Sequence, residues 1–178
     1  MKKLDFDNKT NVLIVLALIA FAVASRLAPH PANFAPIAAV ALFGGALLPR
    51  KLALTLPLGA MIISDLFLGL HPLIFFTWGS FVMIALLSSY RLKNIGFSNV
   101  LGGSVGASIL FYLVTNFGVW IEGRLYDRTF IGLMQSYSNA LPFFRNTLLG
   151  DLMYSGLLFG AYFMAVQLST SSKSEALS

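Results

Sequence analysis

The chain has 178 residues, 57% of them hydrophobic and 11% charged, with a formal charge of +5 and a mean hydropathy of +0.80. A soluble domain carries roughly twice that charged fraction, so the composition excludes an ordinary soluble enzyme, and the scattered basic residues form no patch for nucleic acid. No cysteine is present, which removes disulfide frameworks, thiolate nucleophiles and Cys-based metal sites. The expected fold class is an all-α integral membrane protein, a bundle of six transmembrane helices. It forms a single domain over 1–168, followed by a polar, disordered cytoplasmic tail over 169–178.

Six apolar segments of helical length follow one another: Val12–Ala28, Phe34–Leu48, Leu52–Leu70, Pro72–Ser89, Val100–Trp120 and Asn146–Leu168. The first follows Met-Lys-Lys and contains Ala22-Val23-Ala24, a pattern shared with cleaved signal peptides. Asp5 and Asp7 dilute its positive start and five further spans follow, which favours an uncleaved first helix. The second is short for a span, with Pro36 suited to an early helical turn. Pro57 removes a backbone hydrogen bond inside the third and is expected to kink it. Between the fifth and sixth lies the longest loop, Ile121–Arg145. Its semi-apolar stretch IGLMQSYSNALPFF predicts a short helix over the outer mouth of the bundle, a candidate lid.

Lysine and arginine set the orientation. Lys2, Lys3, Lys9, Arg50, Lys51, Arg91, Lys93 and Lys173 fall on one side, and Arg26, Arg124, Arg128 and Arg145 on the other. The richer side is cytoplasmic by the positive-inside rule, so both termini are expected in the cytoplasm, in the inner membrane of a bacterium.

With this topology the polar residues that are not plain loop ends collect on the extracytoplasmic side. They are Arg26, His30, Asn33, Asp65, His71, Trp78, Asn116, Trp120, Arg145, Asn146 and Asp151. Carboxylates within spans are costly and default to paired or functional roles. Asp65 and Asp151 are therefore the leading candidates, either accepting hydrogen bonds from a solute or orienting Arg26 and Arg145. The arginines could bind a carboxylate or phosphate, the three asparagines supply neutral hydrogen bonds, and the tryptophans stack on a ring. Each has a structural alternative. The aspartates could be ion-pair glue, the tryptophans an interfacial belt, and His30 and His71 turn residues beside proline. No zinc spacing is present, and neither metal nor cofactor is expected. Four outer arginines against Glu122 and Asp127 make the mouth mildly positive, which favours an anionic or zwitterionic solute. In the fifth span Ser104, Ser108, Tyr112, Asn116 and Trp120 recur every four residues, a stripe that must face the bundle interior. Gly102 and Gly106, with Gly103 and Ala107, suggest close packing there.

The strings NFAPIAAVALFGGALL, ISDLFLGLH, TNFGVW and LPFFRNTLLGDLMYSGLLFG resemble a bacterial six-span family grouped with the substrate-binding S-components of energy-coupling factor (ECF) vitamin transporters. The resemblance covers roughly residues 25–165. It implies a six-helix bundle with a solute pocket near the extracytoplasmic side. It also implies a small-xxx-small motif on the first helix that docks on a coupling subunit, for which Ala20 and Ala24 are the matching positions. Solitary cobalamin-binding relatives turn a cysteine toward cobalt. This chain has none, so a corrinoid solute would need His30 or His71 in that place. No phosphate-binding P-loop is present, so an ATP-driven step would require separate ATPase subunits.

The leading expectation is a membrane protein that binds a small vitamin-like solute, not an enzyme. An envelope scaffold is one alternative. An intramembrane aspartyl hydrolase, in which two carboxylates share a proton, is the other.

Overall fold

The computed structural model describes residues 7–92 and 94–175, with side chains described through residue 168. Lys2, Lys3, Lys93 and residues 176–178 lie outside the described residues. Among the described residues the fold is entirely helical: α1 (Asn8–Leu27), α2 (Ile37–Leu47), α3 (Arg50–Leu68), α4 (Ile74–Arg91), α5 (Phe97–Glu122), α6 (Phe130–Asn139) and α7 (Leu141–Glu175). Five of them, α1, α3, α4, α5 and α7, are long and apolar enough to cross a membrane. The architecture is compatible with a helical membrane protein. The second apolar segment becomes a helix of only 11 residues. The long loop supplies the additional α6, and α7 continues to Glu175, into the segment read from sequence as a disordered tail.

Local chemistry sets the helix ends. Asp7 caps α1 by accepting the Thr10 amide hydrogen at 2.9 Å, and α1 stops at Leu27 because Pro29 bars the preceding residue from helical backbone. Thr129 caps α6 in the same way, accepting from Gly132 N–H. Pro36 and Pro49 stand at the N-caps of α2 and α3, where their missing N–H costs nothing. α3 runs unbroken through the buried Pro57, as neighbouring helices in a bundle permit.

The short α2 is the centre of the bundle. Every residue in it except Phe43 and Leu47 is buried, and it packs against α1, α3, α4, α5 and α7. Its sequence of Ala, Gly and Val allows this, since small residues let backbones approach. At Gly45 any added Cβ would strike the Ala85 carbonyl oxygen and lie 2.7 Å from Ser88 Cβ. There Ser88 Oγ donates to the Leu42 carbonyl at 2.6 Å, a polar stitch between α2 and α4. The periphery is the reverse of a soluble surface. Phe75, Phe97, Phe67 and Leu66 stand outward, each more than two-thirds exposed, an apolar display that soluble monomers avoid.

Candidate functional site

Two polar centres face one cavity at the end of the bundle where α1 and α3 finish and α4 and α7 begin. The first is built around Asp65. It lies in the last turn of α3, which closes on Gly69 at φ 93° and ψ 147°. That backbone region is open essentially to glycine alone, and it lets the chain turn straight into α4. Trp78 then donates its Nε1–H to Asp65 Oδ2 at 2.8 Å. From the last turn of α1, Arg26 Nη1 meets Asp65 Oδ1 at 2.7 Å, Ser64 Oγ at 2.6 Å and Met61 Sδ at 3.0 Å. Ser64 can accept because its own hydrogen goes to the Ala60 carbonyl at 2.6 Å. Asp65 is 1% exposed and both of its oxygens are partnered. His71 Nε2 stands 3.9 Å from Oδ2 as an outer neighbour. Arg26 spends only Nη1 on these contacts. Its remaining N–H groups have no acceptor among the described residues, and its side chain, 17% exposed, lines the cavity.

The second centre is Asp151 in α7, 2% exposed. Ser108 of α5 donates to its Oδ2 at 2.6 Å. The sequence offered Arg145 as its partner. In the structure Arg145 is exposed and in no ion pair among the described residues, so a hydroxyl takes that role. Asp65 and Asp151 have separate partners, and no hydrogen bond joins them.

The cavity between the centres measures about 270 Å³, walled by Arg26, His30, Asn33, Met61, His71, Thr77, Phe81, Phe111, Thr147 and Asp151, with Ala35, Ile37 and Ala38 as its floor. Phe81 and Phe111 stack on each other, centroids 5.0 Å apart and planes 21° from parallel. A second hollow of about 180 Å³ shares Asn33, Thr77, Phe111 and Thr147 with the first and reaches Asn116. The α1–α2 connection forms part of the rim. Asn33 adopts left-handed backbone at φ 61°, which asparagine tolerates better than most residues. The turn is held by the Phe34 amide on Pro31 O at 3.0 Å and by Asn146 Nδ2 on Ala32 O at 3.1 Å. The His30 ring lies between the Pro31 and Arg26 carbonyls, at 2.8 Å and 3.3 Å.

The sequence candidates thus sort into three groups. Arg26, His30, Asn33, His71 and Asp151 line the main cavity, with Asp65 and Trp78 directly behind Arg26. Asn116 borders the second hollow, its amide donating to Tyr112 O. Arg145, Asn146 and Trp120 stand outside both; Asn146 braces the rim and Trp120 donates to Thr129 O at 3.0 Å. Ala20 and Ala24 are exposed on α1. Ser64, Met61, Phe81, Phe111 and Thr147 were missed. Thr147 stands one turn before Asp151 and Phe81 one turn after Thr77, spacings that would have found them.

The α5 stripe divides by height. Ser104 and Ser108 turn into the α5–α7 seam. Higher up, α6 is stitched along α5 by Tyr112 Oη on Tyr137 O, Tyr137 Oη on Leu113 O and Ser136 Oγ on Asn116 O. Burial between these helices raises the Tyr137 phenol above its ordinary value. No residue of α6 lines the main cavity. The outer arginines do not converge on it either. Arg124 pairs with Glu122 at 2.9 Å and Arg128 donates to the Glu122 carbonyl.

No curated protein and no solved structure matches the chain. A family model described as "Family of unknown function (DUF6580)" matches residues 6–174, and the chain belongs to that family.

Proposed function

We propose that the chain is a six-span protein of the bacterial inner membrane, with both termini cytoplasmic. It binds a small solute from the extracytoplasmic side in the cavity between Arg26 and Asp151, in the manner of an ECF S-component. The observation that carries this reading is the cavity itself: a guanidinium held by Asp65 and Ser64 on one wall, a buried carboxylate on the other, and aromatic rings between. Preorganised polar groups around an apolar hollow are the usual form of a small-molecule site. An envelope scaffold would leave this cavity without a purpose. A shared-proton aspartyl dyad is disfavoured because each carboxylate has its own partner.

Size narrows the solute. A hollow of about 270 Å³ holds roughly nine water volumes at about 30 Å³ each, which suits a single- or double-ring compound. A corrinoid would require the rim to open widely. The exposed Ala20–Ala24 face of α1 is left for a coupling subunit, with ATP hydrolysis supplied by separate partners.

The test is a thermal-shift screen of the detergent-purified chain against vitamins, their ring precursors and nucleobases. A ligand at a hundred times its dissociation constant stabilises the folded state by about 2.7 kcal/mol. A hit lost in both Arg26→Met and Asp151→Asn supports the site. A well-folded protein that ignores the whole panel refutes it.

A further inference from the structure

Charge around the cavity identifies the class of solute, an inference that rests on the solute-binding reading above. Arg26 and Asp65 neutralise each other at 2.7 Å, and Trp78 fills the remaining oxygen of Asp65. This centre is a closed dipole with N–H groups to spare and no net charge. Asp151 is different. It is 2% exposed, its partner is the neutral Ser108, and the described residues give it no ion pair. The positions one turn away on its own helix are Thr147 and Ser155, and the next one on α5 is Ser104, all buried hydroxyl residues. A carboxylate in such surroundings is costly unless a cation meets it. The cavity is the open side from which one can come.

We propose that the solute carries a positively charged nitrogen that docks against Asp151, with its flat apolar body packed against the exposed side of the stacked Phe81–Phe111 pair and an acceptor atom toward the free N–H groups of Arg26. The chemical class is a small amine, amidine or protonated heteroaromatic ring. The rings add to this preference, because a cation near an aromatic face is attracted by its quadrupole. The sequence-based expectation of an anionic or zwitterionic solute counted Arg124, Arg128 and Arg145 beside Arg26, and of the four only Arg26 lines the cavity.

Benzamidine, benzamide and benzoate share shape and differ in charge, so they serve as probes. The full chain in detergent or nanodiscs is titrated with each. Benzamidine should bind about ten- to a hundredfold more tightly than benzoate, the range of a charge-assisted hydrogen bond. Asp151→Asn should remove the difference and Arg145→Ala should keep it. Should Asp151→Asn fail to fold, the ranking of the three probes on the unaltered chain decides alone. Preference for benzoate, or equal binding of benzamide, overturns the cationic class while leaving the cavity as a binding site. Silence toward all three also overturns it. The site itself falls only if the vitamin and nucleobase panel is silent too.

Discussion

Removing the charge of Asp65 tests the site at its most constrained point. Asp65→Asn keeps the shape of the side chain but withdraws the anion from Arg26, 2.7 Å away. At an effective dielectric of about 20 that contact has a gross Coulomb energy of about 6 kcal/mol, most of it offset by desolvation of the two ions. Breaking one side of a buried pair typically costs about 3–5 kcal/mol. Arg26 keeps 17% of its surface exposed and the new amide oxygen can still accept from Trp78 or Arg26. The expected loss is therefore about 2–3 kcal/mol, or a fall of about 5–10 °C in Tm for a chain of this size. Arg26→Met alone should cost a similar amount, since it strands Asp65 at 1% exposure. The double variant Arg26→Met/Asp65→Asn should lose clearly less than the two singles summed, because no buried charge is left without a partner. Unfolding in detergent, followed by helicity, measures all three. Additive losses in the double variant, or a change under about 0.5 kcal/mol in Asp65→Asn, would refute the reasoning that this pair is a coupled unit.

Other perturbations probe the frame around the site. Gly45→Ala forces a methyl against Ala85 and Ser88 and should destabilise by about 1–3 kcal/mol, with Gly45→Leu failing to fold; denaturant titration of the alanine variant checks it. Gly69→Ala places a side chain at φ 93°, costing about 1–3 kcal/mol. It should also loosen the turn that presents Trp78, read as a red shift and broadening of indole fluorescence. Asp7 has its carboxyl held below the ordinary value by hydrogen bonds from the Thr10 side chain and then its amide. A group depressed in the folded state contributes its stability above the unfolded value and loses it as pH falls through the folded one. The first turn of α1 should thus fray only below about pH 4. Amide exchange of Thr10 and Asn11 reads this, and Asp7→Asn should abolish the pH dependence while keeping the cap.

The apolar runs were legible in the sequence because hydropathy over helical lengths depends on little else. The extra α6 was readable too, from aromatic content in an overlong loop. Individual partners were not legible. The sequence offered Arg145 to Asp151 because the two are close in the chain, but six residues along a helix point in different directions and Ser108 of α5 stands opposite instead. Trp78 looked like an interfacial ring from its place at a helix end. Only the turn at Gly69, folding α4 back on α3, brings its indole to Asp65. Phe111 was invisible for another reason, since in a chain this rich in phenylalanine a cavity ring and a lipid-facing ring look alike.

The brevity of α2 has its own meaning. Its 11 residues rise about 16 Å, against a hydrocarbon layer of about 30 Å. Its far end runs directly into Pro49 and α3, so the shortfall lies at the end near Asn33, where the cavity opens. The cavity opens beside this end of the helix, against Ala35, Ile37 and Ala38. Non-helical backbone at such depth survives only where protein or water meets its polar groups, and here the Phe34 amide on Pro31 O and Asn146 Nδ2 on Ala32 O supply protein partners. On the proposed solute-binding function, the occupant of the cavity would complete the bundle beside this short helix. A variant whose α2 is extended outward through 33–36, about one further turn, is expected to lose the thermal shift that a solute in the cavity would give.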